Sequence, residues 1–317
     1  MNKLSKILVI GGSGFIGSYL IRDLLNRDAK IFNFDKNKSN ISNKNLKNVI
    51  GDVRKTDNFK NLPSDIDVVY VLAAEHKDNI KNHKKYYNTN HSGIINIIQY
   101  CVNFDINKII FYSSAAVYGN NFMNAKESED MKPENHYGKS KRLAELELYK
   151  WIKENKLRNL LIIRPSVVYG KGSNSNMNRM IEYINKGKFI LVGSGKNTKT
   201  VCYVENLVDF TIAVQNLTSN QINIFNYADI PCYNVKDLVS NISSIANRKI
   251  IQIPYFIAYS IGCFFDIISF VTNKEINISS NRVKKFCDET SLSIEKIKSL
   301  DYKAKYNFID SINKTIK

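Results

Sequence analysis

A five-residue apolar run, KILVI (6–10), breaks directly into GGSGFIG (11–17). This junction constrains the fold more than any other stretch. A β-branched run stops at glycines, and SYLIRDLLNR (18–27) resumes with Leu20, Leu24 and Leu25 at helical spacing. KIFNFD (30–35) is a second short strand that ends in an acid. Strand, glycine turn, helix, strand and terminal carboxylate together predict a dinucleotide-binding βαβ unit. Gly11 suits the tight turn out of the strand, Gly14 lets backbone approach a pyrophosphate, and Gly17 permits close helix–strand packing. Phe15 and Ile16 open the helix whose N-terminus would face that pyrophosphate. Asp35 is placed to accept hydrogen bonds from the adenosine ribose and to repel a 2′-phosphate, which favours NAD over NADP. Lys36 and Lys38 weaken that preference slightly.

The pattern continues. VIGDVRK (49–55) offers Asp52, with Val53, to the adenine, although Asp52 also fits an ordinary solvated turn. DVVYVLAAEH (67–76) reads as the fourth strand; Leu72, Ala73 and Ala74 leave room for a cofactor ribose, or merely pack. NKIIFYSSAAVYG (107–119) supplies a fifth strand and LLIIRPSVVYG (160–170) a sixth. Alternating strands and helices imply an α/β fold: a Rossmann-type doubly wound parallel sheet with its ligand at the C-terminal edge. The expected boundaries are a cofactor domain over 1–168 and a smaller mixed α/β substrate region over 169–317, with part of 200–225 returned to the first.

Composition narrows the partners. Lys and Arg outnumber Asp and Glu by 46 to 29 in 317 residues, a net charge of +17. Such an excess suits nucleic acid, an anionic membrane or a phosphorylated substrate. It equally suits the Lys/Asn/Ile bias of an AT-rich genome. The basic residues are scattered without a nucleic-acid-binding motif, so nucleic acid is set aside. Cys101, Cys202, Cys232, Cys263 and Cys287 are odd in number and far apart. That argues against a disulfide framework and against a metal site, and fits a reducing cytoplasm. MNKLSKILVIGG has no apolar run long enough for a signal peptide before its glycines.

YGKSK (137–141) puts Tyr137 and Lys141 one turn apart on a helix. A lysine ammonium and a cationic nicotinamide both favour the phenolate, so Tyr137 is a general-base candidate. Lys141 can also hold the nicotinamide ribose, and Ser114, at the end of the fifth strand, can hydrogen-bond the same substrate oxygen.

GGSGFIG, GDV, LAAEH, SSAAVYG, YGKSK and RPSVVYG together resemble the extended short-chain dehydrogenase/reductase family of nucleotide-sugar epimerases and dehydratases. The resemblance implies Ser114–Tyr137–Lys141 catalysis with tightly held NAD, a C-terminal substrate domain and a homodimer built through a four-helix bundle. Sugar 4,6-dehydratases of this family carry an acidic pair after the strand-end Ser/Thr. Here those positions are Ala115 and Ala116, which cannot transfer a proton. Uronic-sugar decarboxylation is disfavoured by the same Ala116. What remains needs NAD and one base: oxidation of a sugar hydroxyl, turning of the keto-sugar, and hydride return to its other face. That is 4-epimerisation.

Val167 stands where sugar-nucleotide epimerases usually have a substrate-binding Asn, and Asn176 is the replacement candidate, or a solvated loop Asn. Lys199 stands where many relatives have a diphosphate-facing Arg; Arg282 is the other diphosphate candidate, with Lys284 and Lys285 beside it. HYGKSK, GSGKNTKTVCYVEN, FNYADIP and NRVKKFC resemble bacterial 4-epimerases acting on lipid-linked sugars, which convert N-acetylglucosaminyl-diphospho-undecaprenol to its N-acetylgalactosaminyl epimer. The expected partner is therefore a diphospho-sugar, lipid-linked, met at the inner face of the plasma membrane. A soluble UDP-sugar 4-epimerase, a keto-sugar-releasing oxidoreductase and a non-catalytic NAD-binding scaffold are the competing readings.

One segment stays apart. PYFIAYSIGCFFDIISFV (254–271) is short for a membrane span and carries Pro254 and Asp266. As a helix it has a narrow polar stripe of Tyr255, Tyr259, Gly262, Asp266 and Ser269, and is apolar elsewhere. It reads either as a buried cap on the substrate domain or as a face for a membrane or a lipid chain, with Lys274 and Arg282 following to meet phosphates.

Overall fold

The computed structural model describes residues 5–77, 80–217, 221–272 and 278–316; Lys274 lies outside the described residues. Seven strands form the main sheet: β1 (Lys6–Ile10), β2 (Lys30–Asp35), β3 (Leu46–Ile50), β4 (Val68–Val71), β5 (Lys108–Tyr112), β6 (Asn159–Pro165) and β7 (Ile222–Tyr227). Their order is β7-β6-β5-β4-β1-β2-β3, and every pairing is parallel. Parallel neighbours need crossovers, and those crossovers cover both faces of the sheet. β1 shows the consequence: Ile7 and Val9 pack into one apolar cluster, Leu8 and Ile10 into another.

On the first face lie α1 (Phe15–Leu25) and α5 (Val204–Val214). On the second lie α2 (Gly93–Asn103) and α3 (His136–Lys153). Five longer helices remain among the described residues: α4 (Asn176–Asn185), α6 (Val235–Ile245), α7 (Tyr255–Thr272), α8 (Ser280–Cys287) and α9 (Phe308–Ile316). α4, α6 and α9 share a third core around Met177, Ile181, Leu238, Ile242 and Ile312. Chain order reverses between β1 and β4, so a crevice opens at the C-terminal ends of those strands.

The two halves are interleaved. β7 and α5 come from the second half yet complete the sheet and its first face. Phe122–Ala125 pairs with Thr290–Leu292, and Val167–Tyr169 with Val201–Tyr203. Asp229, just past β7, is a buried junction. It accepts the Tyr203 N–H at 2.6 Å and the Asn206 amide at 3.0 Å, and Asn206 exchanges hydrogen bonds with the Tyr306 backbone. Burial pushes the Asp229 carboxyl up to about 7.

α7 departs from the buried-cap reading. Only Ala258 and Gly262 are buried. Asp266 Oδ2 accepts the Ser280 N–H at 3.1 Å and its hydroxyl at 2.6 Å, and a Cβ on Gly262 would meet Ser280 N at 2.6 Å. The stripe through Gly262 and Asp266 thus faces α8, while Phe256, Phe264, Ile267 and Phe270 face outward. The helix needed its small and acidic residues to receive a neighbouring helix, and that left the apolar arc with solvent.

Candidate active site

The glycine turn is built by steric necessity. Gly11 has φ +85°, and a Cβ on it would lie 2.4 Å from Ala73 N. A Cβ on Gly17 would lie 2.5 Å from Gly11 O, so α1 starts in direct contact with the turn. At Gly14 a Cβ would meet only Gly11 O, at 3.2 Å, among the described residues. Gly14 caps α1 without a side-chain bond, which leaves the first-turn N–H groups for an anion. Phe15 and Ile16 turn their side chains into the third core, so they offer a cofactor backbone rather than side chain.

Asp35 closes the other side. Its carboxylate accepts Ser13 N–H at 3.1 Å and Asn37 N–H at 3.0 Å. Each oxygen keeps a lone pair for a ribose hydroxyl. Asp52 is more committed. Arg54 Nε lies 2.9 Å from one of its oxygens, Lys36 Nζ lies 3.7 Å from the other, and the hydrogen bond from Arg54 holds the carboxyl down at about 2. Val53 is buried against Gly93. Leu72 and Ala73 both donate backbone N–H groups to Ile10 O, at 2.8 and 2.9 Å, which holds the chain after β4, with Ala74 next in line, beside the glycine turn. The cradle that side chains would fill, together with a ribose-ready acid, fits NAD.

The helix that carries Tyr137 and Lys141 is held against β5. Asn135 caps α3 by accepting Gly138 N–H at 2.7 Å. A Cβ on Gly138 would lie 2.3 Å from Ala116 O. That glycine lets the helix abut the turn that follows Ser114, so the first turn of α3, which carries Tyr137, packs on the Ala115–Tyr118 turn. Ser114 is half-buried and its hydroxyl accepts Ala116 N–H at 3.1 Å. Lys141 is buried; its ammonium donates to Tyr112 O at 2.7 Å and lies 4.7 Å from the Phe111 ring centre. Burial pulls it down to about 7, against the opposing pull of Glu145. Tyr137 sits in the first turn of α3, where the helix dipole favours an anion. Its ring lies 6.5 Å from that of Tyr86.

Several supporting residues escape sequence reading. Asn90 accepts Glu75 N–H at 2.7 Å and donates to Ser140 Oγ at 2.9 Å, tying the β4 loop to α3. Glu145 and Arg164 form a buried ion pair, 2.6 Å between Oε2 and Nη2. Ser113 donates to that glutamate and Tyr118 lies 2.7 Å from Arg164 Nη1. The available signal was charge in the wrong place: Arg164 interrupts the apolar run LLIIRP, and Glu145 lies on the buried side of α3. His136, beside Tyr137, stacks on His83 with ring centres 4.1 Å apart and bonds Tyr87 OH through Nδ1 at 2.9 Å.

The expected substrate residues are less gathered. Asn176 is exposed at the start of α4, while Asn178 holds the Gly170 turn by bonds of 3.0 and 2.8 Å. Lys199 donates to the Lys285 and Asp288 carbonyls at 3.1 and 3.0 Å, so its ammonium caps the end of α8. Burial lowers it from the ordinary lysine value. Arg282 is exposed on α8.

A family model for the NAD dependent epimerase/dehydratase family matches residues 7–227, from β1 to the end of β7. The chain belongs to that family. NAD is its cofactor, and this epimerase/dehydratase family member is an enzyme. It is 36% identical over 313 residues to the N-acetyl-alpha-D-glucosaminyl-diphospho-ditrans,octacis-undecaprenol 4-epimerase of Escherichia coli O157:H7, covering 98% of this chain and 94% of that one. It is 25% identical over 256 residues to the UDP-glucose 4-epimerase of Vibrio cholerae, covering 78% of each. Among solved structures, the Thermus thermophilus UDP-glucose 4-epimerase complex with NAD has the same fold, with a TM-score of 0.76 at 18% identity and coverage of 98% and 97%.

Proposed function

We propose that this enzyme is an NAD-dependent 4-epimerase of N-acetylglucosaminyl-diphospho-undecaprenol, giving the N-acetylgalactosaminyl epimer for surface-polysaccharide synthesis. The observation that carries the epimerase chemistry is the Gly138–Ala116 contact. It packs the first turn of α3 on the turn after Ser114, which supports Ser114, Tyr137 and Lys141 acting on one substrate oxygen, and the adjoining Ala115 and Ala116 have no acid for dehydration. When bound, NAD supplies a reversible hydride acceptor. Tyr137 takes the proton of the sugar 4-hydroxyl and later returns it. Ser114 hydrogen-bonds the same oxygen, and Lys141 favours the phenolate and holds the nicotinamide ribose. Gly11, Gly14 and Gly17 admit the pyrophosphate, Asp35 the adenosine ribose, and Asp52 and Val53 border the adenine. Asn176 and Arg282 are the substrate-side candidates, and Lys199 positions Arg282 by capping α8.

The lipid carrier is supported by the similarity to the Escherichia coli enzyme over nearly the whole chain. A carrier of that kind sits in a membrane, and the enzyme works at its cytoplasmic face. We read the protein as a homodimer, with α2 and α3 contributing exposed Ile95, Val102 and Leu146 to a four-helix bundle. The test is parallel incubation with N-acetylglucosaminyl-diphospho-undecaprenol and UDP-GlcNAc, followed by mild acid release and sugar identification. N-acetylgalactosamine from the lipid is the outcome expected. Turnover of the UDP-sugar alone replaces it with the soluble UDP-sugar reading, and net NADH accumulation replaces it with a simple oxidoreductase.

A further inference from the structure

α7 and α8 form an antiparallel hairpin. At its base, a Cβ on Gly193 would lie 3.4 Å from Cys287 Sγ and 3.8 Å from Tyr255 Cβ. At mid-length, Asp266 and Gly262 receive Ser280, the first residue of α8. α7 therefore continues six residues past its brace, about 9 Å at the rise of an α-helix. That extension carries Ile267, Phe270 and Val271 at 64, 89 and 75% exposure. By length and composition α7 is apolar enough to cross a membrane, with a mean hydropathy of 1.6. Its geometry is not that of a span, because α8 runs back along it to the same base.

A tip of this kind on a water-soluble surface would cost several residues' worth of unburied apolar area. The outer arc, through Phe256, Ser260, Phe264, Ile267, Phe270 and Val271, offers a protein partner one hydroxyl to read and no charge. α8 supplies exposed Arg282, Lys284 and Lys285 above the tip. With α7 lying along an anionic bilayer, its outer arc meets the acyl layer while α8, packed on the opposite stripe, keeps its cations at the phosphates; that orientation also spares Lys274 and Glu275, next in the sequence, from the acyl layer.

We propose that the α7–α8 hairpin is a monotopic membrane anchor, seated in one leaflet by Ile267, Phe270 and Val271 and held at the phosphate level by Arg282, Lys284 and Lys285. This deepens the lipid-linked reading, since it names the element that brings the site to a carrier embedded in that leaflet. The hairpin base is tied to the substrate region: strand Ile251–Ile253 pairs with Ile190–Val192 just before α7, and Lys199 caps α8.

The test is flotation of the full chain with vesicles of phosphatidylethanolamine and phosphatidylglycerol, without substrate. Wild type is expected to float, and Phe270→Ser with Val271→Ser to partition at least about tenfold less, given the apolar area removed. Leu157→Ser, at another apolar site 78% exposed, should float as wild type. Lys284→Gln with Lys285→Gln should weaken flotation on anionic vesicles and leave it unchanged on neutral ones. Thermal unfolding and epimerisation of detergent-dispersed substrate should stay unchanged in all variants. Wild type that stays in solution, or a folded tip variant that floats fully, overturns the anchor. So does Phe270-dependent self-association without vesicles, which would make the arc a contact between copies. Failure of the epimerase reading would instead appear as no turnover in detergent, with flotation intact.

Discussion

Lys141 lies in the deepest part of the site, where burial brings it from 10.5 to about 7. Between those pH values the unfolded chain holds a proton that the folded chain has shed. Stability therefore rises with pH across that window, and the cost is greatest at and below pH 7. Lys141→Met removes the cost. Its melting temperature should exceed that of wild type at pH 7, with the gap narrowing towards pH 9 in parallel thermal scans, while turnover falls by about 10²–10⁴. Tyr137→Phe should lose a similar factor with NAD still bound; unchanged turnover would remove Tyr137 from the role of base. The shared helix of Tyr137 and Lys141 was legible from their four-residue spacing. Lys199 was not. A sequence shows that a cation is available, but not that two carbonyls of α8 occupy it.

α1 and α3 show how far a helix can be read from its own residues. Glycines at the start of α1 announced the turn, and their need follows from backbone contacts of 2.4 and 2.5 Å. Gly138 gave no such notice, because its partner, Ala116, is on another element. Gly138→Ala puts a methyl 2.3 Å from Ala116 O and must shift α3 from the Ser114 turn. The variant should fold and lose about 100-fold in turnover, measured as initial rate beside a thermal scan. α7 reads the opposite way. Its narrow polar stripe was visible in the sequence without a neighbour, and the fold uses Gly262 and Asp266 of that stripe to receive Ser280. Periodicity locates a stripe, but it does not say whether water or a neighbouring helix receives it.

The molecule is braided rather than divided. β7, α5 and the strand pairs that join Phe122–Ala125 to Thr290–Leu292 cross between the cofactor and substrate halves. Thermal unfolding should therefore show one cooperative transition by calorimetry; two separated transitions would contradict the braiding. Asp229 is where the braid can be cut. Asp229→Ala leaves the buried Tyr203 N–H and one Asn206 amide hydrogen unpaired, and should cost about 2–4 kcal/mol by denaturant titration, with the transition still single. The cofactor half was legible because its determinants are local: a run of branched residues, a glycine turn and an acid within 30 residues. The places of Ser114 after β5 and of Tyr137 and Lys141 on one helix were legible for the same reason, since strand end and helix turn are local features. The buried Glu145–Arg164 pair, the capping duty of Lys199 and the outward arc of α7 depend on which distant segments meet. Those meetings are set by long-range packing, and no spacing along the chain encodes them.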